Sequence, residues 1–454
     1  MNFDLSKINK VYLAGIGGIG LSAIAYYFLS QDKEVEGSDS VKSEVTQRLE
    51  TKGVYINYKQ KADNIDLDIN LLIYSSALPD DHPELVKAKE LEIPTLSYFQ
   101  FLGILSKNYK TIAVTGTNGK TTTTAMLGLI LEKAGLDPTV IVGSLVPQWE
   151  SNFRAGQSDI LVVEACEWQA HMLEIDPNII ILTNIAEDHL DFYKDLNDIK
   201  QHFQKFVDKL PSSGLLIKNK DDQNSDSINF SGHVLNFGKN NADYNVDNLI
   251  VQPGEQKFVI NKQNTELAEF SLTVPGLYNI YNALSAVAVA DFLDVNKHQI
   301  WNGLNEFTGI WRRFEILGKS KTNLVISDYA HHPDAIQGLL KATKDFYPDQ
   351  KIITIFQPHH HNRTKTLLDD FAASFELADQ VIVSEIYQVG GREDKEHEQV
   401  SSQELVDKMQ HPRKFYAADF SAVQQIIKKI NPSNAVLLFI GAGDIDDLAR
   451  EIID

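Results

Sequence analysis

Short apolar runs closed by glycine, proline or acidic residues recur along the chain, and between them apolar residues return every three or four positions. The short runs read as buried strands and the periodic stretches as helices. KVYLA at 10–14, INLLIYSSALP at 69–79, IAV at 112–114, ILVVEAC at 160–166, IIILTNI at 179–185 and GLLIKN at 214–219 are the strand signals of the first half. In the last third they are TNLVISDY at 322–329, QKIITIFQP at 350–358, QVIVSEIY at 380–387 and AVLLFIGAG at 435–443. Leu21, Ile24, Ala25, Phe28 and Leu29 mark one amphipathic helix, and Met126, Leu127, Ile130, Leu131 and Ala134 another. Helices are also expected at 274–293, 333–347, 364–377, 401–410, 419–430 and 445–453, whereas residues 240–275 alternate polar and apolar positions as an antiparallel insertion would. Strand and helix alternate nearly throughout, which predicts an α/β chain with mostly parallel sheets, doubly wound (Rossmann-like) at both ends.

A length of 454 residues suits about three domains at ~150 residues each. One seam is expected near Lys107, where a helix ends before the strand at 112–114. A second falls after WRRF (311–314), where a new strand–helix pattern starts. The expected domains are therefore 1–107, 108–314 and 315–454.

The middle domain opens on IAVTGTNGKTTTT, residues 112–124. Gly116 and Gly119 permit a turn tight enough to aim backbone N–H groups at an anion, and the helix that follows adds positive potential at its N-terminus. Lys120 supplies a point charge and the Thr121 hydroxyl a ligand for Mg²⁺, with Thr117, Asn118 and Thr122 lining the same loop. This is a phosphate-binding P-loop, although Val114 stands where the general template has its first glycine. Four threonines in a first helical turn are poor helix formers, so chemistry rather than helix stability explains them.

Gly15, Gly17 and Gly20 follow the first strand in G-x-G-x-x-G spacing, with Gly18 beside them, and Asp39 comes about 20 residues later. The motif serves any diphosphate or a purely structural turn, and taken alone with Asp39 on a ribose it predicts NAD. Ser75 and Ser76 end the strand within 69–79, placed either for a ligand or for a turn. Two middle-domain strands end in metal-type residues: Glu164 and Glu167 after one, Asp188, His189 and Asp191 after the other. Buried parallel strands keep polar residues for their tips, so Glu164 and His189 are expected to serve a metal together with Thr121, and Cys166 to be a small core residue. Asn279 and Asn282 share a helix face and either cap that helix or hydrogen-bond a base edge. Arg312 and Arg313 precede the third domain, whose strand tips carry Asp328, His331 and His332, then His359, His360, His361 and Arg363. Neighbouring residues of an extended segment point opposite ways, which argues against a metal site in the histidine triplet.

Bulk properties narrow the partners. A formal net charge of −20 with no basic run argues against nucleic acid. No stretch approaches the ~20 uninterrupted apolar residues that cross a bilayer, and MNFDLSKINK lacks a signal-peptide core, so a cytoplasmic chain with no membrane partner is expected. A single cysteine excludes an intrachain disulfide.

VTGTNGKTTTT, TNIAEDHLD, LYNIYNALSA, WRRF and DYAHHPDA, in this order over the whole chain, resemble the Mur ligases of peptidoglycan synthesis. GIGGIGLSAIA, SSALPDDHPE, DYAHHP and FQPH with a following arginine are most similar to the members that join L-alanine to the carboxylate of UDP-N-acetylmuramate. The resemblance implies ATP and Mg²⁺ as cofactors, a UDP-sugar-binding first domain, a central P-loop ATPase and a C-terminal domain for the amino acid, in a monomer or homodimer. It implies that Gly15, Gly17, Gly18 and Gly20 hold the UDP diphosphate near Ser75 and Ser76, and that Lys120 and Thr121 take the ATP phosphates and a metal. Asn279 and Asn282 would read adenine, Arg313 and Asp328 would hold a phosphate and the ribose, and His331 and Arg363 would face the reacting centre and the amino acid. Four positions depart from the family pattern: Asn118 for histidine, EACE for EADE, Tyr278 for histidine and His360 for arginine. The rival readings are a recycling ligase that attaches an intact peptide to the same sugar nucleotide, a nicotinamide-dependent oxidoreductase, which would leave Lys120 and Thr121 idle, and a nucleotide-gated binding protein that has lost ligation.

Overall fold

The structure, a computed structural model, describes residues 4–190, 192–239, 241–387 and 400–453; Asp191, expected near the metal-type residues, lies outside them. Three α/β sheets account for the strand signals. The first has five parallel strands in the order Tyr55–Asn57, Glu34–Ser38, Lys10–Ala14, Leu71–Tyr74, Thr95–Ser97. The chain builds outward from Lys10–Ala14 to one side and then crosses to the other. This reversal opens a crevice at the carboxyl ends of Lys10–Ala14 and Leu71–Tyr74, where open α/β sheets bind ligands. Gly15 and Ser75 are the residues that follow those two strands.

The second sheet has ten strands, and its centre is Lys110–Thr115, flanked in parallel by Ile160–Glu164 and Ile179–Leu182. Ala113, Val114, Ile180 and Ile181 are wholly buried, as expected for strands covered on both faces. The three carboxyl ends therefore lie side by side: the P-loop in the middle, Glu164 to one side and Thr183–Asn184 to the other. At the far edge, Tyr244–Gln252, Glu255–Lys262 and Thr265–Leu272 lie side by side in chain order, as the strands of the expected insertion would. One of its turns, Gln263–Asn264, has both residues at positive φ (48° and 63°), the two-residue geometry that joins antiparallel strands.

The third sheet runs Glu315–Ser320, Asn323–Asp328, Ala435–Ile440, Lys351–Phe356, Gln380–Ser384, Lys414–Ala417, parallel except for its first strand. Apolar clusters cover both faces, one around Phe356, Phe375 and Leu405, the other around Val423, Leu437 and Leu448. The single helix expected at 364–377 is two, His361–Thr366 and Leu368–Ala373. Leu367 leaves helical geometry (φ −106°, ψ 23°), which lets Leu367 and its neighbour Leu368 both pack on the same core; on a continuous helix they would point about 100° apart.

The chain forms two compact units, one of Met1–Asn248, Phe258–Phe270 and Ile280–Phe307, the other of Leu249–Lys257, Ser271–Asn279 and Thr308–Asp454. Within the first, one continuous apolar core joins the first two sheets, from Val11 and Phe28 through Phe101 and Phe153 to Leu161 and Phe206. Among the described residues no helix is long and apolar enough to cross a membrane.

Candidate active site

Beyond Thr115 the backbone turns through Gly116 (φ 131°) and Gly119 (φ 88°), values that L side chains rarely adopt, and re-enters a helix, Lys120–Lys133. The neighbouring strand's Thr183–Asn184 pins this loop. Thr183 Oγ1 donates to the Asn118 carbonyl (2.6 Å), the Asn184 side chain takes both the Asn118 N–H (3.0 Å) and its carbonyl (2.9 Å), and Thr117 N–H donates to the Asn184 carbonyl (3.0 Å). Asn282 closes the other side, so near that a Cβ on Gly119 would fall 2.4 Å from its Oδ1. Backbone conformation is thus fixed before any ligand arrives, which is what an anion cradle requires.

Lys120 points back into this loop. Its ammonium donates to the carbonyls of Gly116 (2.6 Å) and Thr117 (3.1 Å) and to Glu167 Oε1 (2.9 Å). Burial opposes its charge, but Glu167, Cys166 and Glu164 outweigh that and hold its pKa above the usual lysine value. Thr121 Oγ1 donates to Glu164 Oε2 (3.1 Å), whose other oxygen accepts from Gly143 N–H (2.5 Å). Cys166 is half-buried beside the site, and burial pushes its thiol up to about 11, so it stays protonated.

The metal-type residues separate into two groups. Glu164 is engaged with Thr121, whereas His189 gathers with Glu167 and Asp188, one ligand atom from each lying within 4.8 Å of the others. Two carboxylates and an imidazole fit a divalent cation that retains several waters, as Mg²⁺ does. Asp188 and Glu167 are the partners that belong with His189. Both stand beside residues singled out in the sequence, but only the fold shows which carboxylate faces which.

In the first sheet, Gly15 and Ile16 donate N–H bonds to the Ser38 carbonyl (2.8 and 2.9 Å). Asp39 accepts from Gly17 N–H (2.9 Å) and from Val41 N–H (3.0 Å), so here it holds the glycine loop itself. Gly18 caps the helix Ile19–Ser30, and the Tyr98 ring lies directly against Gly20. Ser75 and Ser76 are half-buried, with Ser75 Oγ accepting from Ala77 N–H (3.3 Å). Behind the loop, the fully buried Glu84 accepts from Tyr12, Ser38 and Asn64 at 2.6–2.8 Å.

In the second unit, Asp328 accepts from Phe314 N–H (2.7 Å) and Ala330 N–H (2.8 Å); desolvation pushes its pKa up against those bonds and against Arg313 and Arg312. Arg312 is spent on structure, donating to the Gly441 and Gly443 carbonyls (2.7 Å each), while Arg313 is exposed. Asn279 Nδ2 donates to the Pro275 carbonyl (2.7 Å), two residues before the helix Leu277–Phe292 begins. His331 Nδ1 is 2.9 Å from the Tyr329 carbonyl. Arg363 is half-buried and, among the described residues, its guanidinium makes no hydrogen bond or ion pair. His359, His360 and His361 point to different partners: His359 stacks on Tyr387, His360 takes positive φ (66°), and His361 Nδ1 contacts the Val400 carbonyl (2.7 Å).

The segment after Glu167 carries one pH-sensitive group. His171 stacks on Phe99 with ring centroids 3.7 Å apart, and burial pushes its imidazole down to about 4 from 6.5. The unfolded chain therefore binds a proton that the folded one refuses between those values, so His171 removes stability as pH falls through that window. The residue is half-exposed, which limits the effect to ~1 kcal/mol. His171→Phe is expected to flatten the fall in melting temperature between pH 6.5 and pH 4.5; an unchanged slope in calorimetry contradicts the assignment.

A lysine loop with fixed amides at the tips of a parallel sheet, next to carboxylates and an imidazole, defines an enzyme that transfers a phosphoryl group from a nucleotide. Family models match three successive stretches: the Mur ligase family catalytic domain at 10–110, the Mur ligase middle domain at 114–290 and the Mur ligase glutamate ligase domain at 312–443. The chain belongs to the Mur ligase family and is an ATP-dependent ligase. It is 40% identical over 451 residues to the UDP-N-acetylmuramate–L-alanine ligase of Clostridium kluyveri, covering 98% of each chain. To the ligase of the same name from Caldanaerobacter subterraneus it is 37% identical over 461 residues, covering 100% of this chain and 99% of the relative. The crystal structure of the UDP-N-acetylmuramate-alanine ligase of Thermotoga maritima matches with a TM-score of 0.85 at 31% identity, covering 98% of both chains. A murein peptide ligase from Psychrobacter arcticus shares the fold at a TM-score of 0.71 and 22% identity, over 98% of both chains.

Proposed function

We propose that this protein joins L-alanine to the lactyl carboxylate of UDP-N-acetylmuramate in peptidoglycan precursor synthesis, in the cytoplasm, at the cost of ATP hydrolysis to ADP and phosphate. Its end-to-end agreement with two relatives of that activity carries the reading. Residues 1–107 take the sugar nucleotide, 108–314 the ATP and 315–454 the amino acid.

The carboxylate attacks the γ-phosphorus, ADP leaves, and the alanine amine attacks the acyl phosphate to give an amide and phosphate. Charge gathers on the transferred phosphoryl and then on a tetrahedral oxyanion, so positioning and electrostatics dominate over proton transfer. Lys120 and the amides of Gly116–Gly119 hold the phosphates. Asn279 and Asn282 face adenine, Arg313 steadies a phosphate and Asp328 the ribose. Thr121, Glu164, Glu167, Asp188 and His189 would hold Mg²⁺, which when bound neutralises phosphate oxygens. The glycine loop Gly15–Gly20 with Ser75 and Ser76 takes the UDP diphosphate, and Asp39 keeps that loop in shape. His331 orients the intermediate or accepts the amine proton. Arg363, half-buried and with a guanidinium that makes no hydrogen bond or ion pair among the described residues, suits the alanine carboxylate.

A phosphate-release assay with UDP-N-acetylmuramate, ATP and a panel of acceptors tests this. Release is expected with L-alanine and at least tenfold less with a tripeptide. Release with the tripeptide alone would transfer the chain to the peptide-recycling reaction.

A further inference from the structure

We infer that Glu167 is a positioning residue that the cation and Lys120 share in turn: a divalent cation drawn to Asp188 and His189 takes the Glu167 carboxylate and thereby frees Lys120 for the nucleotide. The inference rests on reading the P-loop as a nucleotide site and adds how that site is made ready.

An ammonium has three donors. In this structure all three of Lys120's are in use, on the Gly116 and Thr117 carbonyls and on Glu167. To meet a phosphate oxygen Lys120 must release one of them. The two carbonyls belong to a loop fixed by Thr183 and Asn184, and they cannot withdraw without unmaking the cradle. Glu167 alone has somewhere else to go. It is buried (4% exposed), the same Oε1 that accepts from Lys120 lies 3.8 Å from His189 Nε2, and Asp188 completes a three-ligand cluster with them. A cation there competes directly with Lys120 for one carboxylate. Cation and nucleotide must then favour each other, and linkage makes the coupling reciprocal.

Glu167→Gln keeps the side chain's shape but removes the charge that holds Lys120. With the full-length protein in EDTA, titration calorimetry is expected to show Glu167→Gln binding metal-free ADP about tenfold more tightly than the wild type, within the range usual for such couplings. Its ADP affinity should then respond little to added Mg²⁺. Asp188→Asn removes the same charge from the same cluster without touching Lys120, so it should lose the Mg²⁺ response and gain nothing in EDTA. Glu167→Ala serves where Glu167→Gln fails to fold. Failure of either Glu167 variant to gain metal-free affinity overturns the inference, as does an equal gain in Asp188→Asn, which would be a bare charge effect. Absence of ADP binding by the wild type with and without Mg²⁺ would overturn the nucleotide reading and this inference with it.

Discussion

Lys120→Ala is expected to lower ADP formation by at least about 10³-fold while changing the affinity for the sugar nucleotide less than about twofold. The lysine is the one side-chain cation inside the P-loop: its ammonium reaches the Gly116 and Thr117 carbonyls and Glu167, all within the cradle. The glycine loop of the first sheet is held by a separate set of bonds, Gly15 and Ile16 to the Ser38 carbonyl and Gly17 to Asp39, none of which involves Lys120. Loss of the lysine leaves Glu167 buried without its cation, which adds a stability cost of ~3 kcal/mol. Activity must therefore be measured at a temperature where the variant's circular dichroism still matches the parent. Steady-state ADP release and calorimetric binding of UDP-N-acetylmuramate separate the two effects. Parallel loss of both would contradict the division of labour between the two glycine loops.

Sequence alone was enough for the strands that carry chemistry, because buried parallel strands are continuous apolar runs and their polar residues collect at the tips. IAV, ILVV and IIIL became three adjacent strands, and the residues after each became the site. Edge strands were harder to read. Tyr55–Asn57 and Thr95–Ser97 are only three residues long and Lys414–Ala417 has a single buried position, while Thr139–Val146, one strand in from the edge strand Ser151–Arg154, is broken by Gly143 and Ser144. None offers a periodic signal.

Pairing between tips was not legible either. Glu164 and Glu167 stand three residues apart in one motif, yet one faces Thr121 and the other Lys120, because the strand ends at Glu164 and its side-chain alternation does not extend to Glu167. Likewise Asp39 sits at the spacing of a ribose ligand but folds back on Gly17. Spacing along the chain gives no direction for a side chain on a loop, and direction decides which ligand it meets. Thr183 and Asn184 were present in the TNIAEDHLD motif, but their work on the P-loop depends on strand order, which parallel crossovers hide from a linear reading.

Gly116→Ala is expected to weaken ADP binding at least about 100-fold and to cost ~2–4 kcal/mol of stability. Two causes add. The backbone at Gly116 takes φ 131°, outside the regions open to an L residue. A Cβ built there also falls 2.1 Å from Thr183 Oγ1 and 2.8 Å from the Asn184 carbonyl oxygen, the groups that pin the loop. Relief of that overlap must push the loop off Thr183 and Asn184, which releases Asn118 and Thr117 and moves a carbonyl that Lys120 holds. Gly135→Ala isolates the first cause. Gly135 has φ 75° at the far end of the same helix and no atom within 4 Å of an added Cβ, so the substitution should cost ~1 kcal/mol and leave ADP binding unchanged. Urea denaturation and calorimetric ADP binding of both variants give the comparison. If Gly116→Ala were destabilised no more than Gly135→Ala and still bound ADP normally, the P-loop would tolerate displacement from the neighbouring strand, and the cradle described above would not be what holds the phosphates.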